Sequence, residues 1–137
     1  MQKFAEEFAQ GLMSQKAKPF ATLIGLKGNL GSGKTTFTQF FAKTFGIEET
    51  ITSPTFVIQK RYEIKNNENF DNLIHIDAYR LKDGNELSAL NFEETLSNTK
   101  NIILLEWPEL VEEALPEDIQ TIEFNFIDNN TREIEIL

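Results

Sequence analysis

The chain has 137 residues, a length for one domain with its own core, and carries 13 Lys and Arg against 22 Asp and Glu, a formal net charge of −9. That balance repels a phosphate backbone and argues against direct grip on nucleic acid, while favouring a protein partner or a free nucleotide. With no cysteine a disulfide framework is impossible; with no apolar run near the ~20 residues of a bilayer span, and an N-terminus mixing Glu6 and Glu7 with Phe4 and Phe8 that does not resemble a targeting segment, a cytoplasmic protein is expected.

Phe4, Ala5, Phe8, Ala9 and Leu12 recur at helical spacing and predict a short amphipathic helix that closes between Gly11 and Lys18. Ala21 to Lys27 has the length and apolarity of a strand, and the glycine-rich run Gly28 to Gly33 interrupts it. Phe37, Phe40, Phe41 and Phe45 then form one apolar helix face, read as core, with Gly46 as the expected C-cap. Phe56 to Ile64 and Leu73 to Asp77, separated by the Asn-rich turn from Lys65 to Asn69, predict an antiparallel hairpin. Asn85 to Leu96 reads as one or two short helices. Ile102 to Leu105 is a continuous apolar run, as in a strand buried on both faces. Leu110 to Leu115 is a short helical piece stopped by Pro116, and Ile122, Phe124 and Phe126, followed by Ile134 and Ile136 across an Asp-Asn-Asn turn, predict a last hairpin.

The chemistry concentrates in Gly28-Asn29-Leu30-Gly31-Ser32-Gly33-Lys34-Thr35, a full G-x-x-x-x-G-K-[ST] P-loop with a strand before it and an amphipathic helix after it. Glycines let the backbone curl so that successive N–H groups face a phosphate, and the following helix presents its N-terminus to the same charge. Lys34 is expected between the β- and γ-phosphates and the Thr35 hydroxyl on Mg2+; Asn29, Leu30, Gly31, Ser32, Gly33, Lys34, Thr35 and Thr36 are the expected nucleotide contacts. Such a site needs an acid at the end of a nearby strand. The sequence offers two, Asp77 closing Leu-Ile-His-Ile-Asp and Glu106 closing Ile-Ile-Leu-Leu-Glu, of which at least one is expected to hold the metal or its water. The hydroxyl-rich stretch Thr50 to Phe56, stiffened by Pro54, lies where P-loop NTPases place a γ-phosphate-sensing switch. His75, the only histidine, is expected to hydrogen-bond within the sheet or to support Asp77.

Taken in order, Gly28 to Thr36, Ser53-Pro-Thr-Phe56, His75-Ile-Asp-Ala-Tyr-Arg-Leu81 and Glu106-Trp-Pro-Glu109 resemble the motifs of the TsaE family (also called YjeE), bacterial P-loop ATPases of tRNA threonylcarbamoyladenosine synthesis. The resemblance spans nearly the whole chain. It implies a single α/β P-loop NTPase domain whose mixed sheet has a parallel core and antiparallel hairpins flanked by helices. It also implies slow hydrolysis of ATP with Mg2+, and action through a TsaB–TsaD protein complex, with tRNA reached only through that complex. Carried over by position, the resemblance gives Lys34, Asp77 and Glu106 to catalysis, Thr35 and Glu106 to the magnesium, Ser53 and Thr55 to the switch-like loop, and Trp107 to the edge of the nucleotide site. Two positions depart from the family pattern. Asn29 stands where Asp is usual, and Asn91 stands near a usual Gly, a replacement Asn permits because it tolerates left-handed backbone. Arg132 is a candidate to border the base.

Other P-loop functions fit less well. A small-molecule kinase needs an arginine-bearing lid, and the chain has three scattered arginines, Arg61, Arg80 and Arg132. A GTPase needs an Asn-Lys-x-Asp segment, which Asn98-Thr-Lys-Asn101 does not match. A nucleotide-stabilised structural subunit without turnover differs from an ATPase chiefly in whether Glu106 is required.

Overall fold

The structure, a computed structural model, describes residues 1–15, 18–29, 31–52, 58–117 and 119–137. In chain order its elements are α1 (Gln2–Met13), β1 (Thr22–Lys27), α2 (Lys34–Thr44), β2 (Gln59–Glu63), β3 (Asn72–Asp77), the short α3 (Asn85–Ser88) and α4 (Phe92–Ser97), β4 (Asn101–Glu106), two 3-10 turns (Pro108–Leu110 and Glu112–Ala114), β5 (Gln120–Asp128) and β6 (Thr131–Ile136). The strands form one six-stranded sheet in the order β2-β3-β4-β1-β5-β6. The four inner strands run parallel, and β2 and β6 pair antiparallel at the two edges. The expected α/β class, with a parallel core and antiparallel hairpins, is thus the observed one.

Alternation along the strands sends successive side chains to opposite faces. Ile24, Leu26, Leu73, Ile102, Leu104, Ile122 and Phe124 point to one face, which α1 and α2 cover. Leu23, Ile74, Ile76, Ile103 and Leu105 point to the other, where Leu87 of α3, Phe92 of α4 and Val111 between the 3-10 turns close over them. Ile102 to Leu105 are fully buried, which is why the β4 sequence is apolar without interruption.

The phenylalanine stripe of α2 is core, as its spacing predicts: Phe37 and Phe41 are fully buried and Phe45 nearly so, with Phe40 packed at the margin. Phe37 stacks tilted against Phe4 of α1, Phe41 and Phe124 of β5, with ring centroids 5.7, 5.6 and 5.5 Å apart, so aromatic contacts tie both helices to the sheet.

Two local expectations are refined and a third is met. The helix α2 ends one residue earlier than its glycine suggests, with Phe45 as C-cap and Gly46 following at φ 80°. The helical piece expected at Leu110 to Leu115 is two 3-10 turns: Pro108 starts the first, and Val111 at φ −130° separates them before an α-helical turn can form. Asn91 adopts φ 58°, the left-handed conformation expected of it. The start of the strand expected from Phe56 lies outside the described residues, within which β2 begins at Gln59. Among the described residues no helix is long and apolar enough to cross a membrane.

Candidate active site

The chain leaves β1, at the centre of the sheet, and turns through the P-loop into α2. Gly28 sits at φ 145°, and a Cβ there would lie 2.5 Å from the Phe124 carbonyl oxygen and 2.6 Å from Ser32 Oγ, so only glycine fits between loop and β5. Gly33, at φ 109°, is the N-cap of α2 and brings no side-chain cap to it. The first backbone bond of the helix runs from Phe37 N–H to the Gly33 carbonyl at 2.9 Å. By helix geometry the N–H groups of Gly33, Lys34, Thr35 and Thr36 therefore have no intrahelical acceptor. Four such donors at the positive end of an 11-residue helix form an anion site. Ser32 Oγ is buried with no hydrogen-bond partner among the described residues, a further polar atom left for a ligand or water to satisfy.

Strand register brings the acids to this point. Asp77 and Glu106 are paired positions at the carboxyl ends of the parallel strands β3 and β4, and Glu106 is also in register with Leu26 of β1. Alternation puts His75, Asp77 and Glu106 on the face covered by α1 and α2, where α2 begins. There Glu106 Oε1 lies 3.6 Å from Lys34 Nζ, and Oε2 lies 2.7 Å from His75 Nε2, with all three side chains buried. Burial pushes the Glu106 carboxyl up, but the His75 hydrogen bond and the attraction of His75 and Lys34 outweigh burial and hold it below the ordinary glutamate value. It is an anion at neutral pH. Lys34 Nζ also donates to the Gly28 carbonyl at 2.5 Å, so the lysine is folded back over its own loop.

Immediately after Glu106, Trp107 takes φ 61°, a left-handed conformation unusual for an aromatic residue, while its N–H donates to the Leu26 carbonyl at 3.2 Å. This sharp exit from β4 lays the indole beside the lysine, with Nζ 4.4 Å from the ring centroid. Asp77 accepts the Tyr79 N–H on Oδ1 at 2.9 Å, and the Tyr79 ring packs tilted on Trp107 at 5.3 Å.

These groups line one cleft of about 630 Å³, within the size range of small-molecule sites. Of the residues expected from the sequence, Gly31, Gly33, Lys34, Thr35, Thr36, Asp77, Glu106 and Trp107 all meet there. Asn29 is exposed and Ser32 is buried behind the loop, and neither lines the cleft. Leu30, Ser53 and Thr55 lie outside the described residues. Arg132 borders the cleft, its Nε donating to the Gly31 carbonyl at 3.0 Å, whereas the exposed Arg80 does not. The sequence does not single out Tyr79, nor Asn129 and Asn130 in the β5–β6 turn; the signal for Tyr79 was its place two residues beyond a strand-ending acid. His75 does bond within the sheet, but to Glu106 on the neighbouring strand and not to Asp77.

The residues fit a nucleoside triphosphate and a magnesium ion. A glycine-lined loop, four uncapped helix N–H groups and a lysine suit phosphates. Thr35 offers a hydroxyl and Glu106 an anionic carboxylate. Among the described residues no group of three or more His, Cys, Asp or Glu could cage a metal unaided.

A protein-family model described as "Threonylcarbamoyl adenosine biosynthesis protein TsaE" matches residues 1–134. Over 132 residues the chain is 36% identical to the tRNA threonylcarbamoyladenosine biosynthesis protein TsaE of Rickettsia typhi, covering 96% of this chain and 86% of that protein. It is 39% identical over 118 residues to the protein of the same name from Bacillus subtilis, covering 86% of this chain and 70% of the relative. With the Haemophilus influenzae protein it is 31% identical over 137 residues, 100% of this chain and 82% of the relative. The crystal structure of Bacillus subtilis YdiB superposes with a TM-score of 0.71 at 31% identity, covering 99% of this chain and 79% of that one.

Proposed function

The chain belongs to the TsaE family, whose members are named for tRNA threonylcarbamoyladenosine biosynthesis, and from that membership we propose that it is a cytoplasmic Mg2+-dependent ATPase serving this tRNA modification through a TsaB–TsaD protein complex. The observation that carries the ATPase reading is the meeting of Lys34, at the uncapped start of α2, with the Glu106 carboxylate at the end of β4.

The β- and γ-phosphates of ATP replace the Gly28 carbonyl as the partner of Lys34, and the N–H groups of Gly33 to Thr36 donate to their oxygens. Thr35 Oγ1 and the Glu106 carboxylate would hold a magnesium ion, which would supply neutralisation of phosphate charge. Asp77, one strand away from Glu106 and in register with it, accepts a hydrogen bond from the attacking water and aims it at the γ-phosphorus. As the new P–O bond forms, the bond from the γ-phosphorus to the bridging oxygen breaks, leaving ADP and inorganic phosphate, with one proton of the water kept on the phosphate and the other released to solvent. Trp107 and Tyr79 wall the cleft, so that the lysine acts in surroundings less polar than open water.

The net charge of −9 supports a route to tRNA through protein partners, because so acidic a surface gains little from a phosphate backbone. The test is ATP hydrolysis by the purified chain, alone and with TsaB–TsaD, against Lys34→Ala. Low activity alone, altered by the partners and absent in Lys34→Ala, is expected. Turnover indifferent to TsaB–TsaD would remove the partner reading, and turnover surviving in Lys34→Ala would place the chemistry outside this cleft.

A further inference from the structure

We infer that His75 is a positioning residue for Glu106, tying back one carboxylate oxygen so that the other is presented to the Mg2+·ATP cleft. The inference rests on the ATPase reading above.

His75 is fully buried in the middle of β3, on the sheet face that Leu73 shares, and is paired in register with Leu104 of β4 and Lys60 of β2. Leu73 and Leu104, which share its face, belong to the apolar core. A leucine would fill the position without a polar cost, whereas the imidazole leaves Nδ1 buried with no hydrogen-bond partner among the described residues. Core packing therefore does not account for a histidine here. Its single compensating contact is Nε2 to Glu106 Oε2 at 2.7 Å.

The contact fixes which nitrogen is the donor. A proton on Nδ1 alone would have no acceptor, and it would leave the Nε2 lone pair facing a carboxylate oxygen at hydrogen-bond distance. The proton therefore sits on Nε2 and is donated to Glu106 Oε2. The two oxygens then have separate partners: Oε2 is held by the sheet, and Oε1 faces Lys34 at 3.6 Å. Without the imidazole, no other described residue holds Oε2, and the carboxylate is free to turn both oxygens onto the lysine ammonium. That closed pair would draw Lys34 away from the phosphates and Glu106 away from the magnesium. A histidine behind a carboxylate ligand here fills the supporting role that outer hydrogen-bond partners take at many metal sites.

Because His75 is the only histidine, 15N-histidine labelling reports it alone. The expected spectrum has its proton on Nε2, and Glu106→Gln moves the signal; a proton on Nδ1, or a signal indifferent to Glu106→Gln, would overturn the inference without touching the ATPase reading. In turnover assays, His75→Leu is expected to raise the Mg2+ concentration for half-maximal rate and to lower kcat by about 10- to 100-fold, and to weaken Mg2+-free ATP binding, because the closed Lys34–Glu106 pair competes with phosphate for the ammonium. His75→Gln, whose amide N–H lies near the place of Nε2–H, is expected to recover most of the loss. Equal losses in both variants, or wild-type Mg2+ dependence in His75→Leu, would reduce His75 to a packing residue. Should His75→Leu not fold, the glutamine variant and the labelled spectrum still decide. A wild-type chain that binds no Mg2+·ATP would refute the ATPase reading itself.

Discussion

Glu106→Gln is expected to bind ATP about as well as the unmodified chain yet to hydrolyse it at least about 100-fold more slowly, the scale on which losing one placed electrostatic group acts on a transition state. The substitution is nearly isosteric, so the β4 end and the Trp107 turn keep their shape. What disappears is the negative charge that faces Lys34 at 3.6 Å and is proposed to hold the magnesium. Binding survives because the phosphate cradle comes from the loop backbone, the α2 N-terminus and Lys34, none of which is altered. A neutral residue beside Lys34 also relaxes competition for its ammonium, so affinity is expected to hold or rise slightly. Single-turnover hydrolysis together with equilibrium nucleotide binding checks both halves. Undiminished hydrolysis, or full support of tRNA modification by the variant, would favour a nucleotide-stabilised structural subunit over an ATPase.

The largest effect on stability is expected from Phe37→Ala, at about 3–5 kcal/mol, the range for removing a fully buried aromatic ring. The ring touches α1 through Phe4 and Phe8, its own helix through Phe41, and the sheet through Phe124. These three elements cannot all collapse into the vacated space, so a cavity remains. Against a total stability of about 5–15 kcal/mol for a domain, that is a large fraction. Because Phe37 N–H closes the first turn of α2 onto Gly33, the loss is also expected to loosen the P-loop. Urea unfolding measures it; a change below about 1 kcal/mol would mean that the ring does not fill the space assigned to it.

What was legible in the sequence was whatever local backbone chemistry dictates. The P-loop announces itself because phosphate cradling needs glycine at set positions, and Gly28, with no room for a Cβ, is a direct instance. The α2 stripe and the continuous β4 run announce themselves because burial writes its period into the chain. The TsaE resemblance drew on the same motifs, and the family match over residues 1–134 bears it out. What was not legible depends on strand order. Asp77 and Glu106 look alike as acids closing apolar runs, and it is the family resemblance, not their pattern, that names Glu106 for the magnesium; the pattern alone does not say which acid lies nearer the P-loop. The sheet separates them: β4 lies beside β1 and its P-loop, while β3 is one strand further away, about 4.8 Å. Glu106 therefore reaches Lys34. The same non-local pairing joins His75 to Glu106 across strands, where sequence proximity suggested Asp77. The short helical piece after β4 is legible, but its 3-10 type is not, because six residues interrupted at Val111 are too few for a helical repeat to declare its period.

Trp107 offers the most direct test of the central claim, that Mg2+·ATP occupies this cleft. It is the only tryptophan, and its indole lies 4.4 Å from Lys34 Nζ. Titration with Mg2+ and a non-hydrolysable ATP analogue is expected to change its fluorescence saturably, because phosphates draw Lys34 off the ring. Lys34→Ala is expected to abolish the change. A flat emission signal, with binding detected by calorimetry and unaffected by Lys34→Ala, would place the nucleotide elsewhere and contradict the account.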